Sequence, residues 1–243
     1  MSGTIIITGA SQGIGLATAE TFLADGWTVG LLARRGDVLE EICAKHDRAI
    51  PLAADVTDED AMQARFDEFV AQTGRLDAMF NNAGMFGPPT TIDNIALDDW
   101  QKVVNVNLTG MFIAARAAFK QMRNQDPRGG RIINNGSISA HVPREVSICY
   151  TTTKHAITGM TRSLSLDGRA FDIACGQIDI GNAETDMVRA TNKRLESEGK
   201  PPNPVMDVKN AADMVLHMAN LPLNANVQFV TVMATKMPYI GRG

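Results

Sequence analysis

Tyr150 and Lys154 stand four residues apart at the start of a stretch with helical periodicity, so both side chains leave one face of the predicted helix. A phenol beside an ammonium can do proton chemistry. A free tyrosine ionises near pH 10, and bringing it near neutrality takes about 4 kcal/mol of preferential phenolate stabilisation. A neighbouring ammonium and a helix N-terminus both act in that direction. Tyr150 is therefore a candidate general acid for carbonyl reduction and a candidate general base for alcohol oxidation. A Tyr and a Lys at this spacing also occur as ordinary surface packing, so the pair gains meaning only from its company. Ser137, in IINNGSISA, follows the fifth predicted strand, where a hydroxyl can hydrogen-bond a substrate oxygen and stabilise the charge developing on it. A loop-capping serine is the plainer alternative. Asn107, in VNLTG, falls inside a predicted helix, where its amide competes for backbone groups and can hold a water.

These residues need a partner that moves electrons, and the first strand leads to one. TGASQGIG places Gly9, Gly13 and Gly15 between a strand and a helix. Glycines there allow a tight turn and let backbone N–H groups approach a pyrophosphate resting on the helix N-terminus. The same spacing can be a plain strand-to-helix connection, but a second strand follows at the distance expected of a nucleotide-binding βαβ unit. That strand ends in Leu32, Ala33, Arg34, Arg35. A carboxylate there would bond the ribose hydroxyls of NAD, whereas a guanidinium pairs with a 2′-phosphate. The reading favours NADP with Arg34 as the contact, and Asp37 keeps NAD open. NNAG, Asn81 to Gly84, follows the fourth strand, where a turn lets backbone approach the cofactor.

The elements that must position these groups read as strands at 4–8, 28–32, 49–53, 76–80, 131–134, 172–178 and 227–233. Helices are predicted at 13–24, 58–72, 98–122, 150–170 and 210–219. Strand–helix alternation along the whole chain predicts a doubly wound α/β domain over residues 1–243, with a parallel sheet covered on both faces. Residues 181–206, charged and carrying Pro201, Pro202 and Pro204, depart from this rhythm and are expected to form a substrate-binding lid.

Other classes fall away on composition. The 243 residues carry net charge -4 with no basic run, unlike a dedicated nucleic-acid binder. No apolar run reaches the roughly 18 residues a membrane span needs. The Met1 end does not resemble a signal peptide, so the chain is expected to be soluble and cytoplasmic. Cys43, Cys149 and Cys175 lack CxxC spacing, and the four histidines are scattered, so neither a disulfide framework nor a bound metal is expected.

Taken in order, TGASQGIG, Asp55, NNAG, VNLTG and the set Ser137, Tyr150 and Lys154 resemble the classical short-chain dehydrogenase/reductase family along essentially the whole chain. The resemblance implies a single Rossmann-type domain with a seven-stranded sheet. It also implies reversible hydride transfer between a nicotinamide cofactor and a carbonyl or alcohol. Under it, Tyr150 is the proton donor or acceptor and Ser137 polarises the carbonyl. Lys154 binds the nicotinamide ribose and depresses the tyrosine pKa, and Asn107 holds a relay water. Gly9, Ser11, Gly13, Ile14, Gly15, Arg34, Asp55, Val56, Asn82, Ala83, Gly84, Gly181 and Thr185 would line the cofactor together with Tyr150 and Lys154. Relatives commonly have Pro-Gly where this chain has Ile180-Gly181, which leaves the path of that loop open. Asn134 and Asn135 replace the residues usual before the serine, and the C-terminus lacks the glycine-rich ending of many relatives.

Around the substrate the resemblance leaves room for several chemistries. His141, Arg144, Cys149 and residues 187–200 are expected to border it. Arg189, Lys193, Arg194 and Lys200 could read an anion or form a solvated face. Keto acids, thioesters, sugars and xenobiotic ketones all remain open as a small-molecule substrate. A catalytically silent NADP-binding sensor is the alternative function, and the chain is too short for an extended epimerase with a separate substrate domain. A homotetramer or homodimer is expected, paired through the long helices.

Overall fold

The computed structural model describes residues 3–240; residues 1–2 and 241–243, the ends of the expected 1–243 domain, lie outside the described residues. Seven strands, β1 (Thr4–Thr8), β2 (Thr28–Ala33), β3 (Ala49–Ala53), β4 (Ala78–Asn81), β5 (Gly130–Asn135), β6 (Ile173–Gly181) and β7 (Phe229–Met233), form one sheet. Its order is β3-β2-β1-β4-β5-β6-β7 and every pairing is parallel. This is the doubly wound α/β architecture the alternation predicts.

Side chains alternate across a strand, so a sheet buried on both faces needs continuous apolar runs, and β1 supplies one. Ile5 and Ile7 enter a core with Phe22, Leu31, Phe80 and Val215. Ile6 points the other way, into a core with Leu32, Phe66, Phe69, Met79 and Ile132. Helices α1 (Gly13–Ala24) and α8 (Val208–Asn220) cover the first face, and α3 (Glu59–Thr73) and α5 (Gly110–Asn124) the second. Because β1 is flanked by β2 on one side and β4 on the other, the crossovers leave in opposite directions and open a crevice at the strand carboxyl ends.

The structure differs from the expected elements in ways that bear on the site. A short helix, α2 (Gly36–Cys43), follows Arg35 where no element was expected. The predicted helix 98–122 is α4 (Leu97–Val104), a π-helical turn over Asn105–Thr109, and then α5. β6 runs three residues beyond its expected end at 178, to Gly181. Helix α6 (Ile148–Asp167) begins before Tyr150, which places Tyr150 in its first turn. Within 181–206, α7 (Asp186–Ser197) is a helix of 12 residues, and Ala183 bridges Met206 to close the segment at its base. No helix among the described residues is long and apolar enough to cross a membrane.

Candidate active site

The crevice is a cavity of about 740 Å³ running from the β1–α1 turn and the end of β2 to the first turn of α6. At one end the backbone turns through left-handed φ at Gly9 (+68°) and Gly13 (+57°), conformations that side chains disfavour. A Cβ on Gly15 would stand 2.3 Å from the Gly9 carbonyl oxygen, so only glycine lets α1 fold this closely onto β1. The first turn of α1 then presents its unpaired N–H groups to the cavity, a ready anion site.

The floor is tied together by buried side chains. The Thr8 hydroxyl accepts from the backbone N–H groups of Asn82 (2.9 Å) and Ala83 (3.0 Å), and Asn82 Nδ2 donates to the Thr8 carbonyl at 2.9 Å. Asn135 Nδ2 donates to Asn82 Oδ1 at 2.8 Å. The Asn135 Oδ1 is buried without a partner, in a residue that lines the cavity. Asp55 caps its own turn by accepting from the Thr57 N–H and hydroxyl, and it lines the cavity with Val56.

Ser137, Tyr150 and Lys154 share one wall. Lys154 Nζ donates to the Asn135 carbonyl at 2.7 Å and lies 5.4 Å from the centre of the Tyr150 ring. Ser137 Oγ accepts from the Ser139 N–H, and its own N–H donates to Asp179 Oδ1 at 2.8 Å. The sequence predicts a phenol brought toward neutrality by the nearby ammonium. The balance falls the other way: burial raises the Tyr150 pKa, the Ser137 hydroxyl and the Arg144 guanidinium oppose that, and the Asp179 carboxylate adds to it. Burial also pulls the Lys154 ammonium down to about 8, with Asp179 opposing.

The cavity gathers most of the residues singled out above: Gly9, Ser11, Gly13, Ile14, Arg34, Asp55, Val56, Asn82, Ala83, Gly84, Ser137, Tyr150, Lys154, Gly181 and Thr185. Gly15 and Asn107 are not on its wall. Gly15 serves the packing just described. The Asn107 amide is spent within the fold: Oδ1 accepts from the Met85 N–H (2.8 Å), and Nδ2 donates to the Met85 carbonyl (2.9 Å) and to Thr153 Oγ1 (3.2 Å). The π turn, a feature often found at functional sites, seats Asn107 where it clamps the segment after β4. Thr185 caps α7 through Val188 N–H, and its methyl would lie 3.4 Å from a Cβ placed on Gly13, so the two ends of the cavity approach each other there.

Of the expected substrate neighbours, Arg144, Met187, Val188 and Thr191 line the cavity, while the rest of 187–200, Cys149 and His141 do not. Cys149 is buried behind Gly87, and His141 turns away to place Nε2 2.8 Å from Asp179 Oδ2. Asp179 is not among the residues that the sequence singles out. It is 1% exposed and also accepts from Gln177 Nε2 at 2.7 Å. Its signal was a single acid inside the otherwise uncharged run GQIDIG. Arg35, set aside in favour of Arg34, reaches back to the glycine turn, donating to Ser11 Oγ (3.1 Å) and Gln12 Oε1 (2.8 Å).

The family model for short chain dehydrogenases matches residues 3–196. The chain belongs to the short-chain dehydrogenase/reductase family. It is 34% identical to glucose 1-dehydrogenase 2 of Bacillus subtilis (strain 168), over 81% of this chain and 78% of that protein. It is 30% identical to serine 3-dehydrogenase of Agrobacterium fabrum over 99% and 97% of the two chains. The crystal structure of 3-ketoacyl-(acyl-carrier-protein) reductase from Brucella melitensis, complexed with NADH, superposes with a TM-score of 0.85 at 20% identity, covering 96% of each chain. Membership makes this short-chain dehydrogenase/reductase an oxidoreductase.

The protein has two tyrosines, Tyr150 and Tyr239, so their ionisation can be separated by one substitution. Ultraviolet titration of the wild type against Tyr150→Phe is expected to show the Tyr150 phenolate forming only above the ordinary tyrosine range near pH 10. A difference signal that appears near neutrality would overturn the dominance of burial.

Proposed function

We propose that this protein catalyses reversible hydride transfer between a nicotinamide dinucleotide, preferably NADP, and a small carbonyl or alcohol. The observation that carries the proposal is the placement of Ser137, Tyr150 and Lys154 on one wall of the cavity whose other end is the glycine turn.

The residues present suit a dinucleotide. The turn leaves bare backbone where a Cβ would collide, the α1 N-terminus favours a pyrophosphate, and the unpaired Asn135 Oδ1 offers an acceptor to a hydroxyl or amide. Arg34, exposed just after β2, and Arg35, whose side chain bonds the glycine turn, both line the cavity and are the candidate partners of a 2′-phosphate. When bound, the nicotinamide supplies the hydride for reduction and accepts it for oxidation.

The chain's own residues manage the proton. In reduction, Ser137 Oγ donates a hydrogen bond to the substrate carbonyl and Tyr150 gives its phenolic proton to the oxygen that becomes the alcohol. In oxidation, the Tyr150 phenolate takes the alcohol proton. The raised pKa keeps the phenol neutral, the form that donates. Lys154, hydrogen-bonded to the Asn135 carbonyl, holds a positive charge near the ring and favours the phenolate once the proton has left. Asn107 acts as a positioning residue that fixes the strand-four loop. Met187, Val188 and Thr191 of α7 bring the 181–206 segment over the substrate end as a lid. Exposed Phe112 on α5 and Leu166 on α6 support homo-oligomer formation through those helices.

Tyr150→Phe is expected to lower turnover across a carbonyl panel by about 100- to 10,000-fold, measured through reduced-nicotinamide absorbance; full turnover by the variant refutes the proposal. Replacing Arg34 and Arg35 by alanine is expected to raise KM for NADP about tenfold or more while moving KM for NAD far less. Equal changes for both cofactors remove the NADP preference. Sedimentation of Phe112→Glu is expected to give smaller particles than the wild type; a variant of unchanged size, or a wild type that is already monomeric, removes α5 from the interface.

A further inference from the structure

The charges at the substrate end of the cavity are arranged unlike the pattern the sequence suggests. Arg189, Arg194 and Lys200 of the lid are paired locally: Arg189 with Asp186 (3.0 Å) and Glu184 (3.7 Å), and Lys200 and Arg194 with Glu198 at 2.7 and 3.9 Å, whereas Lys193 has no acid partner among the described residues. Arg189 and Lys193 face a separate shallow groove on the outer side of the lid. Arg144 is different. It lines the main cavity, and among the described residues its guanidinium has no ion pair or hydrogen-bond partner. It lies 5.3 Å above the centre of the Phe86 ring and 5.8 Å from that of Tyr150. Those two rings meet edge to face at 4.7 Å, so the exposed guanidinium stands within cation–π range of an aromatic corner that includes Tyr150 itself. Stacking fixes the plane of a guanidinium while leaving its N–H edge available for a planar anion. Lys102 from α4 adds a further positive charge to the cavity lining, and of the acids in that lining Asp186 is held by Arg189 while Asp55 is held in its own turn by Thr57.

We propose that Arg144 reads an anionic oxyacid group, a carboxylate or sulfonate, on the substrate, so that the physiological substrate is a short hydroxy or oxo acid whose reacting carbon lies within a few bonds of the acid. The inference rests on the oxidoreductase reading for its chemistry but not for its binding site. The acid docks on the N–H edge of Arg144, and the carbonyl or hydroxyl then reaches Tyr150 beside it. Met85, Met187 and Met237 add apolar surface to the same cavity, suited to a carbon skeleton that carries one charge.

The test compares short 2- and 3-hydroxy acids and the matching sulfonates with the primary amides of the same acids, using wild type, Arg144→Gln and Arg144→Lys. Steady-state turnover with NADP and calorimetric binding to the NADPH-loaded protein are both read. The wild type is expected to prefer at least one acid over its amide by about 10- to 100-fold in kcat/KM, with the preference collapsing in Arg144→Gln and partly kept in Arg144→Lys. The ratio matters because loss of the Arg144 charge also changes Tyr150 for every substrate. Equal use of acid and amide by the wild type, or a preference that survives Arg144→Gln, overturns the proposal. Should no compound be turned over, calorimetry decides. Acid binding that requires Arg144 upholds this site while the oxidoreductase reading fails, and absence of acid binding to the wild type overturns it. A carboxylate-only or sulfonate-only response identifies which oxyacid the site takes.

Discussion

A buried amide left without a partner costs about 1–3 kcal/mol, and a buried carboxylate more, and β4, β5 and β6 bury Asn81, Asn134, Asn135, Gln177 and Asp179 at the carboxyl edge of the sheet. Their satisfaction constrains everything above them. Asn81 Nδ2 donates to Asn134 Oδ1, Asn134 Nδ2 to Thr161 Oγ1, and Thr161 Oγ1 to Gln177 Oε1. Gln177 Nε2 then reaches Asp179, which accepts the Ser137 N–H. A polar seam thus crosses three strands and α6 and ends under the serine. A second, shorter seam runs from Thr8 through Asn82 to Asn135, whose carbonyl receives Lys154. The two seams fix Ser137 and Lys154 from below, so the candidate proton-transfer groups rest on strand geometry instead of on loop conformation.

The price of this arrangement is electrostatic. Asp179 anchors the serine loop and His141, yet its charge opposes ionisation of Tyr150 and helps Lys154 keep its proton. Arg144 works against it from the solvent side. The phenol therefore sits between a buried negative charge and an exposed positive one, with burial itself the largest influence. Spacing along the chain carries none of this information, because the carboxylate comes from a strand 29 positions away from Tyr150 in sequence and the guanidinium from the preceding loop.

What the sequence made legible was whatever is written in short-range pattern. β1, β3 and α1 have the expected ends because Gly9 and Gly13 punctuate the first turn and the strands are unbroken apolar or β-branched runs. The direction of the sheet followed from alternation alone. Helix α2 is not legible because its eight residues, opening on Gly36 after Arg34-Arg35, offer barely two turns of periodicity. The expected strand 76–80 begins too early because Leu76 is apolar, but its N–H is taken by Gln125 Oε1 at 3.0 Å and it never joins the ladder. In the site, the glycine turn and the residues at strand ends were readable by position. Asn107 was legible as an oddity and not as a clamp, since its partner Met85 lies across the fold. The same holds for Arg144, whose meaning depends on which other cations have already found carboxylates.

The π turn at Asn105–Thr109 has a mechanical meaning for the helix that contains it. Widening one turn inserts a phase slip, so the segments on either side present differently oriented stripes although the backbone is continuous. Below the slip, α5 lays Ile113, Ala114, Ala117 and Ala118 against the sheet core; above it, α4 packs beside α6 and carries Lys102 to the cavity mouth. One rod thereby serves two jobs with separable tolerances. Selection can retune the mouth through α4 while the buried stripe of α5 keeps its register, which gives the scaffold a place to change what it admits without disturbing what holds it together.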